Sequence, residues 1–337
     1  MRRFIVLLFY CSIVLLFGCQ NQKLYKDTQL MLGTFVEVIS PHRQAPGIVF
    51  AEIKRIENLL SKYNPESEVS KLNKLGNLKV SPETFYIIKK SKEFWQVSDG
   101  AFDITVAPLV DLWGFTDKKY YLPKEEEIKN ILNLIGSNKI ILKELENVIK
   151  FSVSGMKIDL GAIAKGYAVD CAVKKLKENN IKSCLINAGG QIYALGDKFG
   201  LTWKIAVRNP RGKDVIDYLA LKDKAVSTSG DYEQYFMVQE SIKHFPIPLQ
   251  KSPKVIAEGD FLVKGKKRYA HIFNPKTGYP ADSGVISITV IAQDGITCDA
   301  LSTAIFVLGK EKGQELAQKF PGVEVRIIEE KNVQNSK

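Results

Sequence analysis

Apolar residues recur every three to four positions over 45–63, where Val49, Ile53, Ile56 and Leu60 form one stripe, and that period predicts an amphipathic helix. Ser81-Pro82 opens a second helix with a hydroxyl cap and a first-turn proline, ending near Ser98-Asp99-Gly100. Leu122-Pro123 opens a third, with Ile128, Ile131, Leu132 and Ile135 inward and Gly136 as its stop. An alanine-rich helix is predicted over 162–177, and two more over 298–308 and 310–320. Strand patterns cover 31–39, 184–186, 192–195, 203–207 and 323–328, with a small meander over 140–158. The segment 285–291 sets Val285, Ser287 and Thr289 against Ile286, Ile288 and Val290, which predicts a half-exposed strand. Residues 237–260 have weak periodicity and three prolines, and read as a long loop or insertion. Strands and helices mix without a strict β-α-β alternation, so the fold class is α+β, with mixed or antiparallel sheets and packed helices.

The N-terminus stands apart. Met1-Arg2-Arg3 is followed by an apolar run to Phe17 that is too short for an ordinary membrane span. It ends in Leu16-Phe17-Gly18-Cys19, which is similar to a bacterial lipoprotein signal. The expected organisation is a signal over 1–18, lipidation at Cys19, a polar tether over 19–27, one domain over 28–330 with its insertion at 237–260, and a tail over 331–337. The expected location is the cell envelope, anchored through lipid on the extracytoplasmic side. Beyond Cys11 and Cys19, only Cys171, Cys184 and Cys298 remain, an odd set with no disulfide spacing. Cys171 and Cys184 lie in apolar settings and read as buried thiols. Loss of Arg2 and Arg3 with the signal lowers the formal charge from +11 to +9, a balance that favours anionic lipid or an anionic ligand. No zinc-finger, RNA-recognition or basic-helix motif points to nucleic acid.

Common catalytic motifs are absent: no phosphate-binding G-x-x-x-x-G-K-[ST], no G-x-G-x-x-G, no H-E-x-x-H and no G-x-S-x-G. What remains is hard oxygen and permissive backbone. Asp159 ends a short strand, Gly161 allows a turn, and Lys165 and Gly166 lie in the first turns of the alanine-rich helix. Free N–H groups at a helix start suit a phosphate, whereas Asp159 repels one, so a bridging cation is the natural third party. Asp299 and Thr303 lie at i and i+4 on one helix face. Mg²⁺ prefers such oxygens together with substrate phosphates. Asp299 also reads as a helix N-cap, and Thr303 as a wall residue. His271 ends a strand beside the turn Asn274-Pro275-Lys276-Thr277-Gly278.

Together these segments resemble the FAD:protein FMN transferase family, the ApbE-type flavin transferases. The matching stretches, in family order, begin with Met31-Leu32-Gly33-Thr34-Phe35, then Tyr63 with Ser67, Ser70 and Asn73, and Asp99-Gly100-Ala101-Phe102-Asp103 through Leu112-Trp113-Gly114-Phe115. Asp159 through Asp170, Asn187-Ala188-Gly189-Gly190, Ser227 through Tyr232, His271 through Gly278, and Asp299 through Thr303 complete the set. The resemblance implies two lobes around a flavin cleft with a T-fold-like core. It implies FAD contacts at Leu32, Tyr63, Ala101, Phe102, Asp103, Asp159, Lys165 and Phe273. It implies Mg²⁺ ligands at Ala162 (through its carbonyl), Asp299 and Thr303, and a proton acceptor at His271. Leu32 stands where the family commonly has methionine, and Ser302 where some members carry a further acid.

The implied activity is Mg²⁺-dependent transfer of the FMN moiety of FAD to a Thr/Ser hydroxyl of an acceptor protein bearing Asp-x-x-Ser/Gly-Ala-Thr/Ser, with release of AMP. FAD is then substrate rather than resident cofactor. Asp159 and Asp299 are expected to converge around one divalent ion on the diphosphate. Two alternatives use the same residues: Mg²⁺-dependent hydrolysis of FAD to FMN and AMP, and capture of flavin by a non-catalytic surface lipoprotein.

Overall fold

The computed structural model describes residues 23–239 and 266–330. The signal over 1–18, Cys19, the start of the tether, most of the 237–260 insertion and the 331–337 tail lie outside the described residues.

The centre is a seven-stranded sheet ordered β1-β2-β6-β7-β10-β13-β14, every pair antiparallel. Its strands are β1 (Tyr25–Met31), β2 (Thr34–Ser40), β6 (Cys184–Ala188), β7 (Gln191–Leu195), β10 (Lys224–Gly230), β13 (Val285–Ala292) and β14 (Glu324–Glu329). Period-two alternation sorts their side chains between two faces. Val36, Val38, Ile186, Tyr193, Ile288 and Val290 meet α1 (Ala45–Leu60), α6 (Ala164–Glu178) and α7 (Gly295–Leu308) in the main core. Ile39, Leu185, Ile192, Val226 and Ile291 point the other way. There a two-stranded ribbon, β8 (Trp203–Arg208) with β9 (Val215–Leu221), covers them through Trp203, Ile205, Leu219 and Leu221.

The remaining elements flank this frame. The helices α2 (Glu68–Leu75) and α3 (Pro82–Val97) lead to a small sheet of β3 (Asn77–Lys79), β5 (Val148–Phe151) and β4 (Ile140–Lys143). A satellite core forms where α4 (Ala107–Leu112) and α5 (Glu125–Leu132) meet the hairpin of β11 (Tyr235–Gln239) and β12 (Lys266–Ala270). Trp113 is its hub and donates Nε1–H to Gly278 O at 3.1 Å. The helix α8 (Lys310–Gln318) follows α7 directly.

The stripe Val49, Ile53, Ile56 and Leu60 is buried as its period predicts, and Ser81 caps α3 by accepting from Thr84 N at 3.3 Å. Three expectations change. The strand expected over 31–39 is a hairpin whose turn falls at Leu32-Gly33, both at positive φ (53° and 71°), so β1 begins at Tyr25 inside the expected tether. The strand β13 is buried along its whole length rather than half-exposed. Its polar members bond across the interior instead of facing water, with Thr289 Oγ1 3.0 Å from Thr228 Oγ1 and Ser287 Oγ 3.4 Å from Tyr232 Oη. The expected insertion begins inside β11 and so connects two paired strands.

Candidate functional site

The turn that carries Asp159 is pinned before α6 begins. Asn73 brackets Ile158, accepting from its N–H at 2.8 Å and donating to its carbonyl at 2.9 Å. The Asp159 N–H donates to Ile104 O at 2.7 Å, tying this turn to the 101–105 loop. Asp159 Oδ1 accepts from Gly161 N at 2.8 Å, and Oδ2 pairs with Lys62 Nζ at 2.8 Å. Burial works against the Lys62 ammonium, yet Asp159 holds its pKa above the usual lysine value. Both Asp159 oxygens thus have a protein partner.

The helix α6 starts with no side-chain cap. A regular helix would return the Gly166 N–H to Ala162 O, four residues back. Instead it donates to Asp299 Oδ2 at 3.0 Å. The Ala162 carbonyl is thereby left unclaimed by the helix. Only glycine permits this approach: a Cβ on Gly166 would lie 2.2 Å from Gly295 O, at the first residue of α7. Asp170, one turn along α6, fixes the same junction by accepting from Gly295 N at 2.7 Å and Ile296 N at 3.0 Å.

Asp299 is 3% exposed. It is not the cap of α7, because Asp294 fills that role by accepting from Thr297 N at 2.8 Å. Its Oδ1 faces Lys165 Nζ at 3.6 Å, and the same ammonium donates to Gly161 O at 2.9 Å. Burial lowers the Lys165 pKa, but Asp299, Glu233 and Asp159 together more than offset it and hold the group charged. A cation therefore already lies where a carboxylate and a turn carbonyl converge.

No group of three or more His, Cys, Asp or Glu among the described residues is arranged to hold a metal. The expected set differs in kind, being one carboxylate, one carbonyl and one hydroxyl. Asp299 Oδ1, the unclaimed Ala162 carbonyl and half-buried Thr303, one turn beyond Asp299, supply hard oxygens of that description. These residues fit Mg²⁺ completed by substrate phosphate. The Ser302 Oγ lies inside the protein, donating to Asp299 O at 3.0 Å and accepting from Ser229 Oγ at 2.8 Å.

His271 lies within electrostatic reach of Lys165 and Asp159. Its backbone N–H and its ring Nδ1 both approach Gln234 O, at 3.1 and 3.2 Å. A carbonyl only accepts, so Nδ1 carries the proton and Nε2 keeps its lone pair. The ring retains some open surface but is hemmed in by protein, and burial pulls its pKa down to about 4. The Gln234 carbonyl opposes that shift, Lys165 adds to it and Asp159 counters it. Glu233, which the sequence reading passed over, acts on the same Lys165 and Asp299. Burial raises its pKa, Lys165 lowers it and Asp299 raises it. It directly follows Ser229-Gly230-Asp231-Tyr232, the one signal that pointed toward it.

The other expected flavin contacts are placed less uniformly. Leu32 lies on the β1–β2 turn, its N–H held by Glu57 Oε1 at 2.8 Å. Tyr63 is exposed, with Lys62 Nζ 5.1 Å from its ring centroid. Ala101, Phe102, Asp103 and Phe273 are buried. The Asp103 carboxylate points inward and takes four bonds from Thr105 and Ser137, so it braces its own loop. Phe102 packs edge-on to Phe94, and Phe273 lies between Trp113 and Phe115, so neither ring is an open stacking face here. A separate cavity of 1180 Å³ lies between α1, α3 and α6 and includes none of Asp159, Lys165, His271 or Asp299.

Known proteins are similar over most of this chain. The "FAD:protein FMN transferase" of Klebsiella pneumoniae is 31% identical over 300 residues, covering 87% of this chain and 85% of that one. The crystal structure of the ApbE protein of Thermotoga maritima superposes with a TM-score of 0.77 at 36% identity, over 92% of this chain and 95% of that one. The apo flavinyl transferase ApbE of Pseudomonas stutzeri gives 0.74 at 28% identity, over 91% of each chain. The sequence model of the ApbE family matches residues 32–327, and this chain belongs to that family.

Proposed function

We propose that the chain transfers the FMN half of FAD to a threonine or serine hydroxyl of an acceptor flavoprotein and releases AMP. The carrying observation is the Gly166–Asp299 junction, with Lys165 beside it and neutral His271 facing it. The names of the matched relatives support the same reading.

Mg²⁺, bound through Ala162 O, Asp299 and Thr303, would withdraw charge from the diphosphate and ease departure of AMP. Lys165 adds a fixed positive charge at the same end of the cleft. His271 Nε2 accepts the proton of the acceptor hydroxyl, a role worth about 10²–10⁴-fold in rate. The hydroxyl oxygen bonds to the FMN phosphorus as the bond from that phosphorus to the AMP phosphate oxygen breaks. The flavin is left as a phosphoester. The acceptor presents Asp-x-x-Ser/Gly-Ala-Thr/Ser, and the enzyme works at the envelope, held by lipid on Cys19.

The test is incubation with FAD, Mg²⁺ and an acceptor carrying that motif. Yellow-green fluorescence that survives denaturing electrophoresis on the acceptor, with stoichiometric AMP, is the expected result. FMN free in solution would favour hydrolysis, and bound but intact FAD would reduce the chain to a flavin carrier.

A further inference from the structure

The four residues that follow β10 are gripped at both ends. At the near end, Asp231 takes a two-pronged contact from Arg211, with Nη1–Oδ1 at 2.7 Å and Nη2–Oδ2 at 2.6 Å. Arg268 Nη1 joins at 3.2 Å, and the Asp231 N–H donates to Ile286 O at 3.2 Å. Arg211 comes from the β8–β9 connection and Arg268 from β12, whose guanidinium also stacks 4.3 Å from the Tyr235 ring. At the far end, Gln234 O receives both N–H groups of His271, the last contact before the turn that follows β12.

The side chains of Arg211 and Arg268 are only 8% and 10% exposed, and Asp231 is 16% exposed. Both Nε atoms and Arg268 Nη1 are buried without a hydrogen-bond partner, so Arg268 meets Asp231 as an ion pair only. Two guanidinium ions against one carboxylate, with the more exposed Glu330 Oε1 4.0 Å from Arg211 Nη2, is an expensive way to fill an interior; packed apolar residues of similar volume often do it at no loss of stability. What the ion cluster provides is direction. A bidentate Arg–carboxylate contact fixes orientation as well as distance. Here it fixes a strap only three residues from the carbonyl that sets the histidine tautomer.

We propose that Arg211, Asp231 and Arg268 form a positioning device for His271, holding the Asp231–Gln234 strap so that Gln234 O keeps the proton on Nδ1 and aims Nε2 into the cleft. This rests on the reading of His271 as the base. The charged groups that face the ring are Lys165 from α6 and Asp159 from the preceding turn, and neither touches the clamp. A loosened strap would let the ring rotate or exchange tautomers while the rest of the cleft stayed in place.

The experiment compares wild type, Asp231→Asn, Arg268→Met and His271→Ala, with thermal unfolding to confirm folding. ¹⁵N-histidine NMR reads the His271 tautomer, assigned by the resonance missing in His271→Ala. In Asp231→Asn, kcat for transfer is expected to fall by about 10²-fold, the cost of a misplaced group, with KM for FAD changing less than about twofold and mixed tautomers at His271. Arg268→Met, which leaves the Arg211 contact intact, should show the same pattern at about tenfold. Folded variants with wild-type kcat and a single Nδ1–H tautomer would overturn the clamp. If Asp231→Asn does not fold, Arg268→Met alone decides. Wild-type turnover in His271→Ala would sink the base assignment instead, a separate outcome from failure of the clamp.

Discussion

Gly166 donates its backbone N–H to Asp299 Oδ2 at 3.0 Å, and this bond joins two segments 133 residues apart. It does three things at once. It frees the Ala162 carbonyl from its helix, fixes one oxygen of Asp299, and leaves the other facing Lys165. Charge removal and bond removal at Asp299 are therefore separable. Asp299→Asn keeps an oxygen for Gly166 and should fold normally while losing transfer by at least about 10²-fold, as expected when a preorganised charge is lost. Asp299→Ala also strands a buried N–H, which costs about 1–3 kcal/mol. Gel fluorescence of flavinylated acceptor and thermal unfolding of both variants check this. Equal activity in Asp299→Asn and wild type would remove Asp299 from the chemistry.

Gly166→Ala tests the junction by crowding. The new methyl would lie 2.2 Å from Gly295 O and 2.8 Å from Ile296 N, all main-chain atoms that cannot swing aside. Overpacking of this kind costs about 1–3 kcal/mol or more. The expected result is a lower melting temperature together with loss of transfer. Gly190→Ala serves as the control for a glycine-to-alanine change: no atom lies within 4 Å of its Cβ position, so its strain is that of the positive φ (91°) alone.

Much of this site was legible because the residues lie in compact local patterns. The stripe of α1, the capped start of α3 and the Asp159–Gly166 turn all rest on neighbours within a few positions. What escaped was set by distant partners. Asp299 reads equally well as a cap until Asp294 is seen to occupy that role. Lys62 has no local feature that marks it as the partner of Asp159, 97 residues on. Arg211 and Arg268 meet Asp231 only because the β8–β9 connection, the middle of β12 and the end of β10 come together. The alternation in β13 was real, but its polar members pair with Thr228 and Tyr232, so it reported hydrogen bonding rather than exposure.

His271 predicts an unusual acid limit. With its pKa drawn from 6.5 down to about 4 by burial, the ring stays neutral and able to accept a proton down to that pH. Single-turnover transfer should therefore lose rate only below about pH 4, not near pH 6.5. Stability runs the same way. The unfolded chain takes up this proton first, so the histidine withdraws stability as pH falls from 6.5 toward 4. His271→Gln should flatten that part of the stability profile relative to wild type. A rate break near pH 6.5 would show that the ring is far better solvated than its surroundings indicate.

Asp170 makes the last prediction, because it holds α6 and α7 together with no ion pair among the described residues. Its contacts are the Gly295 and Ile296 N–H groups at 2.7 and 3.0 Å, and burial lifts its pKa to about 7. Asp170→Ala leaves both donors without acceptors and should cost about 2 kcal/mol, the upper range for losing a helix-start acceptor. In a chain of this size that corresponds to roughly 3 °C in Tm. Transfer should fall with it, since Asp299 lies one turn beyond. Asp170→Asn refines the point through pH. The wild-type carboxyl has a folded pKa above its unfolded 3.8, so it withdraws stability as pH rises through about 7. The asparagine carries no such penalty. The stability lost on Asp170→Asn should therefore be larger at pH 5 than at pH 8. Thermal unfolding at the two pH values decides it, and an equal loss at both would mean that the carboxyl titrates normally and the junction is open to water.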